Sequence, residues 1–189
     1  MNKQNVRNIV VIVVTTALIL GGLWLVKTLR DGGSPGSGVA TVDISMAPGQ
    51  SAPVVGQVAP DFTATTIDGQ QISLSGLRGQ PVWLIFGATW CTDCRVEAPD
   101  VQAVAQAYQG RVKVVAVYVG ESTSTVEGYA QRIGLTYSQI ADTPDTIAES
   151  YAVLGIPSHF FIDADGVIRQ INVGAITQQG AKDALDALL

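Results

Sequence analysis

Val82-Trp83-Leu84-Ile85-Phe86-Gly87-Ala88-Thr89-Trp90-Cys91-Thr92-Asp93-Cys94-Arg95-Val96-Glu97-Ala98-Pro99 is the stretch that decides the fold. Its first five residues form an unbroken apolar run, too short for a helix, and so read as a strand buried on both faces. After Cys91 the apolar residues Val96, Val101, Val104, Ala105 and Tyr108 fall near helical spacing until Gly110 stops the run. The spacing predicts a helix from Cys91 to about Gln109, with Pro99 inside it and expected to kink it. Both cysteines of the chain therefore stand at a strand-to-helix junction, three residues apart in the first helical turn. Free amide groups and the positive end of the helix dipole stabilise a thiolate there, below the usual pKa of ~8.5. Two sulfurs so spaced close a small disulfide. Cys91 is expected to be the exposed nucleophile. Cys94, a turn deeper, is expected to attack the mixed disulfide and release the substrate as a dithiol.

Other chemistries fit the pair less well. A structural zinc site needs four ligands, and the chain offers two thiols and one histidine. Attachment of a c-type haem needs a histidine directly after the second cysteine, where Arg95 stands. A static structural disulfide suits an oxidising compartment, but a junction that exposes the first sulfur is a poor place for an inert staple.

Working outward, Gln71 to Leu74 alternates after the Asp68-Gly69 turn signal and reads as a short strand. Val112 to Val119 is a second buried strand of parallel type. Ser124 to Ile133 reads as a helix opened by a Ser124/Glu127 capping box and ended by Gly134. Thr143-Pro144 is expected to start a short helix reaching Tyr151, with proline in the first helical position. His159 to Ile162 and Val167 to Val173 pair as strands through a turn at Ala164, Asp165 and Gly166. Thr177 to Leu189 closes the chain as an amphipathic helix. That order means an α/β fold, a mixed sheet with helices on both faces.

Upstream, Ile9 to Val26 is about eighteen residues without a charge, at ~1.5 Å per residue just long enough to cross a bilayer core. It runs into Lys27, Thr28, Leu29 and Arg30 with no Ala-x-Ala nearby, so an uncleaved anchor over residues 1–30 fits better than a cleavable signal. Basic residues flank it on both sides, and the positive-inside rule barely decides its orientation. Beyond residue 30 the chain holds seven basic against sixteen acidic residues, a balance of −9, which places the amino terminus in the cytoplasm and the domain outside. Residues 31–53, rich in Gly, Ser, Pro and Ala, have too few large apolar side chains to offset the entropy of ordering. They read as a flexible linker with a reach of roughly 25 to 30 Å, ahead of a single domain over residues 54–189.

Composition narrows the remaining classes. The 189 residues are 47% apolar and 14% charged, with a net charge of −5 and a mean hydropathy of +0.30. Average soluble domains carry roughly 25% charged residues, so a disordered polyelectrolyte is excluded. No basic run follows residue 30, so nothing supplies the counterion release that nucleic-acid binding needs. Two cysteines do not make a disulfide scaffold.

In these residues the domain resembles membrane-anchored thioredoxin-like proteins of the TlpA and ResA type, in the redoxin (AhpC/TSA-like) superfamily. Val58-Ala59-Pro60-Asp61-Phe62 resembles the family's opening motif, Phe86 to Pro99 its active-site signature, and Gly155-Ile156-Pro157 the loop whose cis-proline faces the two cysteines. The resemblance implies a thioredoxin-like fold and a thiol-disulfide oxidoreductase with no cofactor beyond the Cys91–Cys94 disulfide. It gives Glu97 the place of a carboxylate that tunes the protonation of the sulfurs. Ile156 and Pro157 would dock an extended substrate chain, and Trp90 would be a packed aromatic at the rim of the substrate site. Thioredoxin proper carries a buried aspartate where this chain has Ile85, which leaves Glu97 as the main proton carrier. A carboxylate at Asp93, between the sulfurs, opposes the thiolate stabilisation of a strong oxidant, so a reductase is expected. The implied partners are protein thiol and disulfide substrates, apocytochrome c among them, and a membrane thiol reductase as electron donor. The protein is expected to be a monomer in the cell membrane, single-pass, with its domain on the extracytoplasmic side.

Two alternatives accompany this reading. His159, the only histidine, is expected as a partly satisfied surface residue on an edge strand. Together with Cys91 and Cys94 it would make a copper-binding trio for a copper chaperone, although copper-delivery relatives space their cysteines by three residues rather than two. A thiol peroxidase of the redoxin group needs a Pro-x-x-x-Thr-x-x-Cys loop. The required positions hold Leu84 and Ala88 before Cys91, and Gly87 and Cys91 before Cys94.

Overall fold

Val82 to Gly87 forms the middle strand of a five-stranded sheet, as its continuous apolar run requires. A computed structural model describes residues 52–189. The expected anchor over residues 1–30 and all but the end of the expected linker lie outside the described residues. Among the described residues, no helix is long and apolar enough to cross a membrane.

In chain order the elements are β1 (Thr63–Thr65), β2 (Gln71–Ser73), a 3-10 turn (Ser75–Leu77), β3 (Val82–Gly87), α1 (Thr92–Ala107), β4 (Lys113–Val119), α2 (Thr123–Ile133), β5 (Ser138–Asp142), α3 (Thr146–Ser150), β6 (Ser158–Ile162), β7 (Ile168–Val173) and α4 (Gln178–Asp186). The sheet order is β5-β4-β3-β6-β7, and β1 and β2 form a separate antiparallel pair. β3 runs parallel to β4, and β4 to β5, whereas β6 pairs antiparallel with both β3 and β7. The sheet is mixed, as expected, and has helices on both faces.

Period-two alternation along β3 divides the core. Val82, Leu84 and Phe86 face one side, where they pack with Phe62, Leu74 and Tyr151. Trp83 and Ile85 face the other, with Val101, Val104 and Tyr108 of α1, Val126 and Tyr129 of α2, and Ala181 and Leu185 of α4. β3 is buried at every position because both faces are covered.

Some boundaries differ from the sequence expectation. α2 is capped by Ser122, whose extended backbone lets its side chain accept from the Thr125 amide, and not by Ser124. Pro144 is not the first residue of α3. Its peptide bond to Thr143 is cis, and the helix begins two residues later. The buried Asp142 carboxylate accepts from the Ile147 and Ala148 amides and satisfies the start of α3 instead. β5 and β1 were not anticipated: Ser138-Gln139-Ile140-Ala141-Asp142 lacks an apolar run and becomes a strand by pairing with β4. Pro99 lies inside α1, which continues through it to Ala107.

Candidate active site

Cys91 occupies the N-cap of α1, with extended backbone angles, at the end of the loop that leaves β3. Its sulfur accepts from the Cys94 amide at 3.2 Å, one of the donors that a helix start leaves without a partner. The two cysteines form a disulfide with Cα atoms 5.3 Å apart. Gly87 makes room for this arrangement, since a Cβ there would lie 3.4 Å from Cys94 Sγ.

From the opposite side comes the loop before β6. The Ile156–Pro157 peptide bond is cis, and Cys91 Sγ lies 3.9 Å from the Ile156 carbonyl oxygen. The exposure of the two cysteines reverses the expectation. Cys91 is only 7% exposed, covered by that loop, while Cys94 on the first turn of α1 is half-buried. Trp90 also departs from expectation: it is 69% exposed and not packed. Leu154 and Val173 are comparably exposed; Leu154 immediately precedes Gly155, and Val173 pairs with Ser158. Trp90 adjoins Cys91 in the chain, and Leu154 and Val173 lie next to the segment that leads into Ile156–Pro157, as separate exposed apolar side chains.

Glu97 is buried beneath the cysteines, on the next turn of α1. Its Oε2 accepts from the Ile176 amide at 3.1 Å and lies 3.5 Å from Nε2 of His159. His159 is fully buried, because β6 is bonded on both sides and is not an edge strand. A cavity of about 20 Å³ touches Gly87, Cys94, Glu97, Tyr118, Tyr129 and Tyr137, room enough for one water. Burial pushes the hydroxyls of these three tyrosines above the ordinary tyrosine range, so near neutral pH they remain protonated.

A second buried glutamate gives little sign of itself in the sequence. Glu121, which follows β4, accepts from the Thr89 amide at 2.7 Å and from the Thr89 hydroxyl at 2.5 Å. This ties the tip of β4 to the residue before Trp90, which fixes the loop that presents Cys91. The only sequence signal was a carboxylate at the C-terminal end of a parallel strand, the edge where open α/β sheets place their sites.

The AhpC/TSA family model matches residues 55–171. The chain belongs to the AhpC/TSA family. Within this family it is similar to thiol-disulfide oxidoreductase ResA of Geobacillus thermodenitrificans (strain NG80-2), at 35% identity over 140 residues, 74% of this chain and 80% of that protein. It is likewise 35% identical over 134 residues to thioredoxin-like protein YneN of Bacillus subtilis (strain 168), 69% of this chain and 78% of that one. Among solved structures it is similar to a thiol:disulfide interchange protein of the thioredoxin family from Chlorobium tepidum TLS, with TM-score 0.65 and 29% identity over 72% of this chain and 99% of that one. StoA from Bacillus subtilis superposes with TM-score 0.60 at 27% identity, covering 67% and 97%. This AhpC/TSA member is a thiol-disulfide oxidoreductase of the thioredoxin, DsbE and ResA type. Such enzymes act through a redox-active cysteine pair without a cofactor. Among the described residues no three His, Cys, Asp or Glu side chains gather into a group able to hold a metal ion. His159 turns Nε2 toward Glu97, which gives the copper trio no support.

Proposed function

We propose that the protein is a membrane-tethered, extracytoplasmic reductase of protein disulfides. The observation that carries this reading is the N-cap sulfur of Cys91, bonded to the Cys94 amide and facing the Ile156 carbonyl beside cis-Pro157. In the reduced enzyme the Cys91 thiolate, stabilised by the helix start, attacks a client disulfide. One client sulfur leaves with the electron pair and Cys91 is joined to the other. Cys94 loses its proton and attacks Cys91 Sγ, forming the enzyme disulfide and releasing the second client thiolate. The client gains two electrons, and each released thiolate takes up a proton. Glu97, buried one turn beyond Cys94, takes the proton that Cys94 loses.

The client chain docks in extended form against the Ile156 carbonyl, with Trp90, Leu154 and Val173 covering its apolar side chains. The uncharged stretch Ile9 to Val26 supports a single-pass anchor, and the acidic balance after residue 30 supports an extracytoplasmic domain. A membrane thiol reductase then returns electrons to the Cys91–Cys94 disulfide, and apocytochrome c belongs to the client class. The acidic Asp93 between the sulfurs supports a reducing or intermediate couple.

Replacement of Cys94 by alanine tests the order of attack. C94A is expected to accumulate a client mixed disulfide on Cys91, identifiable by mass spectrometry, and C91A to lose insulin-disulfide reduction. Full activity in C91A contradicts the assignment. A reduction potential above about −150 mV, toward the strongly oxidising end, contradicts the reductase reading.

A further inference from the structure

Glu97 has a partner that the proposed mechanism leaves unused. His159 is 0% exposed, and among the described residues neither of its ring nitrogens has a hydrogen-bond partner. Its Nε2 nevertheless stands 3.5 Å from Glu97 Oε2. On the strand, His159 lies opposite Ile85 of β3 and Asn172 of β7, with the Trp83 ring centroid 5.9 Å from its own. A buried imidazole without partners and a buried carboxylate are each unfavourable. Both are relieved by one shared proton, and a contraction of a few tenths of an ångström brings the pair to hydrogen-bonding distance.

We propose that His159 is a positioning residue for Glu97: its imidazole shares a proton with the carboxylate, so that the pair, rather than Glu97 alone, accepts the proton Cys94 loses. This rests on the proposed role of Glu97 in resolution. With a neutral imidazole donating to an ionised Glu97 the pair carries one negative charge. When Cys94 gives up its proton, the pair takes it and becomes neutral overall, either as carboxylic acid with imidazole or as carboxylate with imidazolium. The Cys94 thiolate then forms its bond to Cys91 Sγ, and the bond from Cys91 to the client sulfur breaks with its electrons on the client. The proton afterwards passes to that leaving thiolate or to water. The charge change is one unit, as for Glu97 alone; what the imidazole adds is a hydrogen-bond partner for the carboxylate in both protonation states, inside a core where an unpaired charge is disfavoured.

Arg95, Arg132 and Glu121 act electrostatically on Tyr129 beside the pair, and Glu121 is held by Thr89, which leaves this role to Glu97 and His159. Cys94 lies on the same helix as Glu97. β4, α2 and the segment before β5 contribute Tyr118, Tyr129 and Tyr137. β3 contributes Trp83 and Ile85, β7 contributes Asn172, and α4 turns Ala181, Ala184 and Leu185 inward, none of which titrates. The tyrosines keep their protons near neutral pH, as their burial requires.

The chain has one histidine, so labelling histidine with nitrogen-15 isolates this imidazole in a spectrum. The test uses the full-length protein in detergent. Its ring-nitrogen shifts are expected to titrate with a midpoint that differs between the dithiol and disulfide forms, and to change in E97Q. One unchanging neutral tautomer in both redox forms, unaffected by E97Q, overturns the proposal without any substitution of His159. Kinetics supply the second measurement. Reduced protein mixed with one equivalent of an activated aromatic disulfide releases a chromophoric thiolate when Cys91 attacks and another when Cys94 resolves. H159Q, which keeps a donor but does not titrate in this range, is expected to move the pH midpoint of the second phase by about one unit, a rate change that approaches roughly tenfold on the limb beyond both midpoints, and to leave the first phase unaltered. An equal loss in both phases at every pH indicates a merely structural histidine and overturns the inference. If E97Q slows resolution while H159Q keeps the unsubstituted profile, only the inference fails. If E97Q leaves resolution unchanged, the role of Glu97 fails and the inference falls with it.

Discussion

Two glutamates are buried near the cysteine pair, Glu97 on the helix that carries it and Glu121 against the loop that leads into it, and the fold treats them differently. Glu121 has both carboxylate oxygens occupied by donors of one residue, Thr89, at 2.7 and 2.5 Å. Glu97 accepts one hydrogen bond among the described residues, from Ile176, and faces an imidazole that lacks partners. With a donor on each oxygen, the Glu121 side chain acts as a brace between the end of β4 and the Cys91 loop. Glu97, with a single donor, borders the same small cavity as Cys94, the place the proposed proton transfer needs. Burial alone therefore does not distinguish structure from chemistry; the count of donors does.

The largest expected effect separates the two residues. E97Q should slow the resolving step by ~10²-fold, the lower end of what a positioned general acid or base contributes, with the attack by Cys91 nearly unchanged. Two-phase kinetics with a small disulfide measures both. The contrast breaks if E121Q produces the same selective loss. Next in size, Glu121→Ala strands the Thr89 amide and hydroxyl and should cost about 1 to 3 kcal/mol of stability, read from urea unfolding. In that variant both kinetic phases should fall together as the Cys91 loop loosens. A selective change in the second phase alone would move Glu121 from brace to chemistry.

The smallest effect concerns surface carboxylates that resemble Glu121 in donor count. Asp163, half-buried, accepts from the Val167 amide at 2.8 Å and from Arg169 at 2.6 Å. Burial opposes its charge, but the Val167 and Arg169 bonds outweigh it and hold the carboxyl below the usual range. Asp61 behaves alike: burial again opposes the charge, and bonds from Ser75 and Phe62 prevail. Because these folded-state pKa values are depressed, their stabilisation is present above the unfolded aspartate pKa of ~3.9 and is lost as pH falls through the folded values. Thermal unfolding followed from pH 5 downward should show a shallower acid loss in D163N than in the unsubstituted protein. An unchanged slope would remove Asp163 from the account.

Much of this site was legible from local pattern. Residues 82–86 read as a strand because five consecutive apolar side chains need burial on both faces, and the helix after them followed from spacing. Cys91 and Cys94 were placed at the junction by adjacency along the chain. Partners distant in sequence were not legible. Glu121 lies 32 residues from Thr89, and Ile176 lies 79 from Glu97. β5 has no apolar run of its own and depends on its neighbour β4. His159 was misplaced on an edge because which strand pairs with β6 is a property of sheet order, and its burial followed from that order.

Elements built from consecutive residues, the cysteine pair at a helix start and, through the motifs, the kind of reaction are all readable along the chain, since they depend on spacing within one or two turns. Chain folding in three dimensions sets the Ile156 carbonyl against Cys91, leaves Trp90 open and brings Glu97 to His159. Those facts depend on which segments the sheet brings side by side, and on how many hydrogen-bond donors each buried charge meets once water has been excluded.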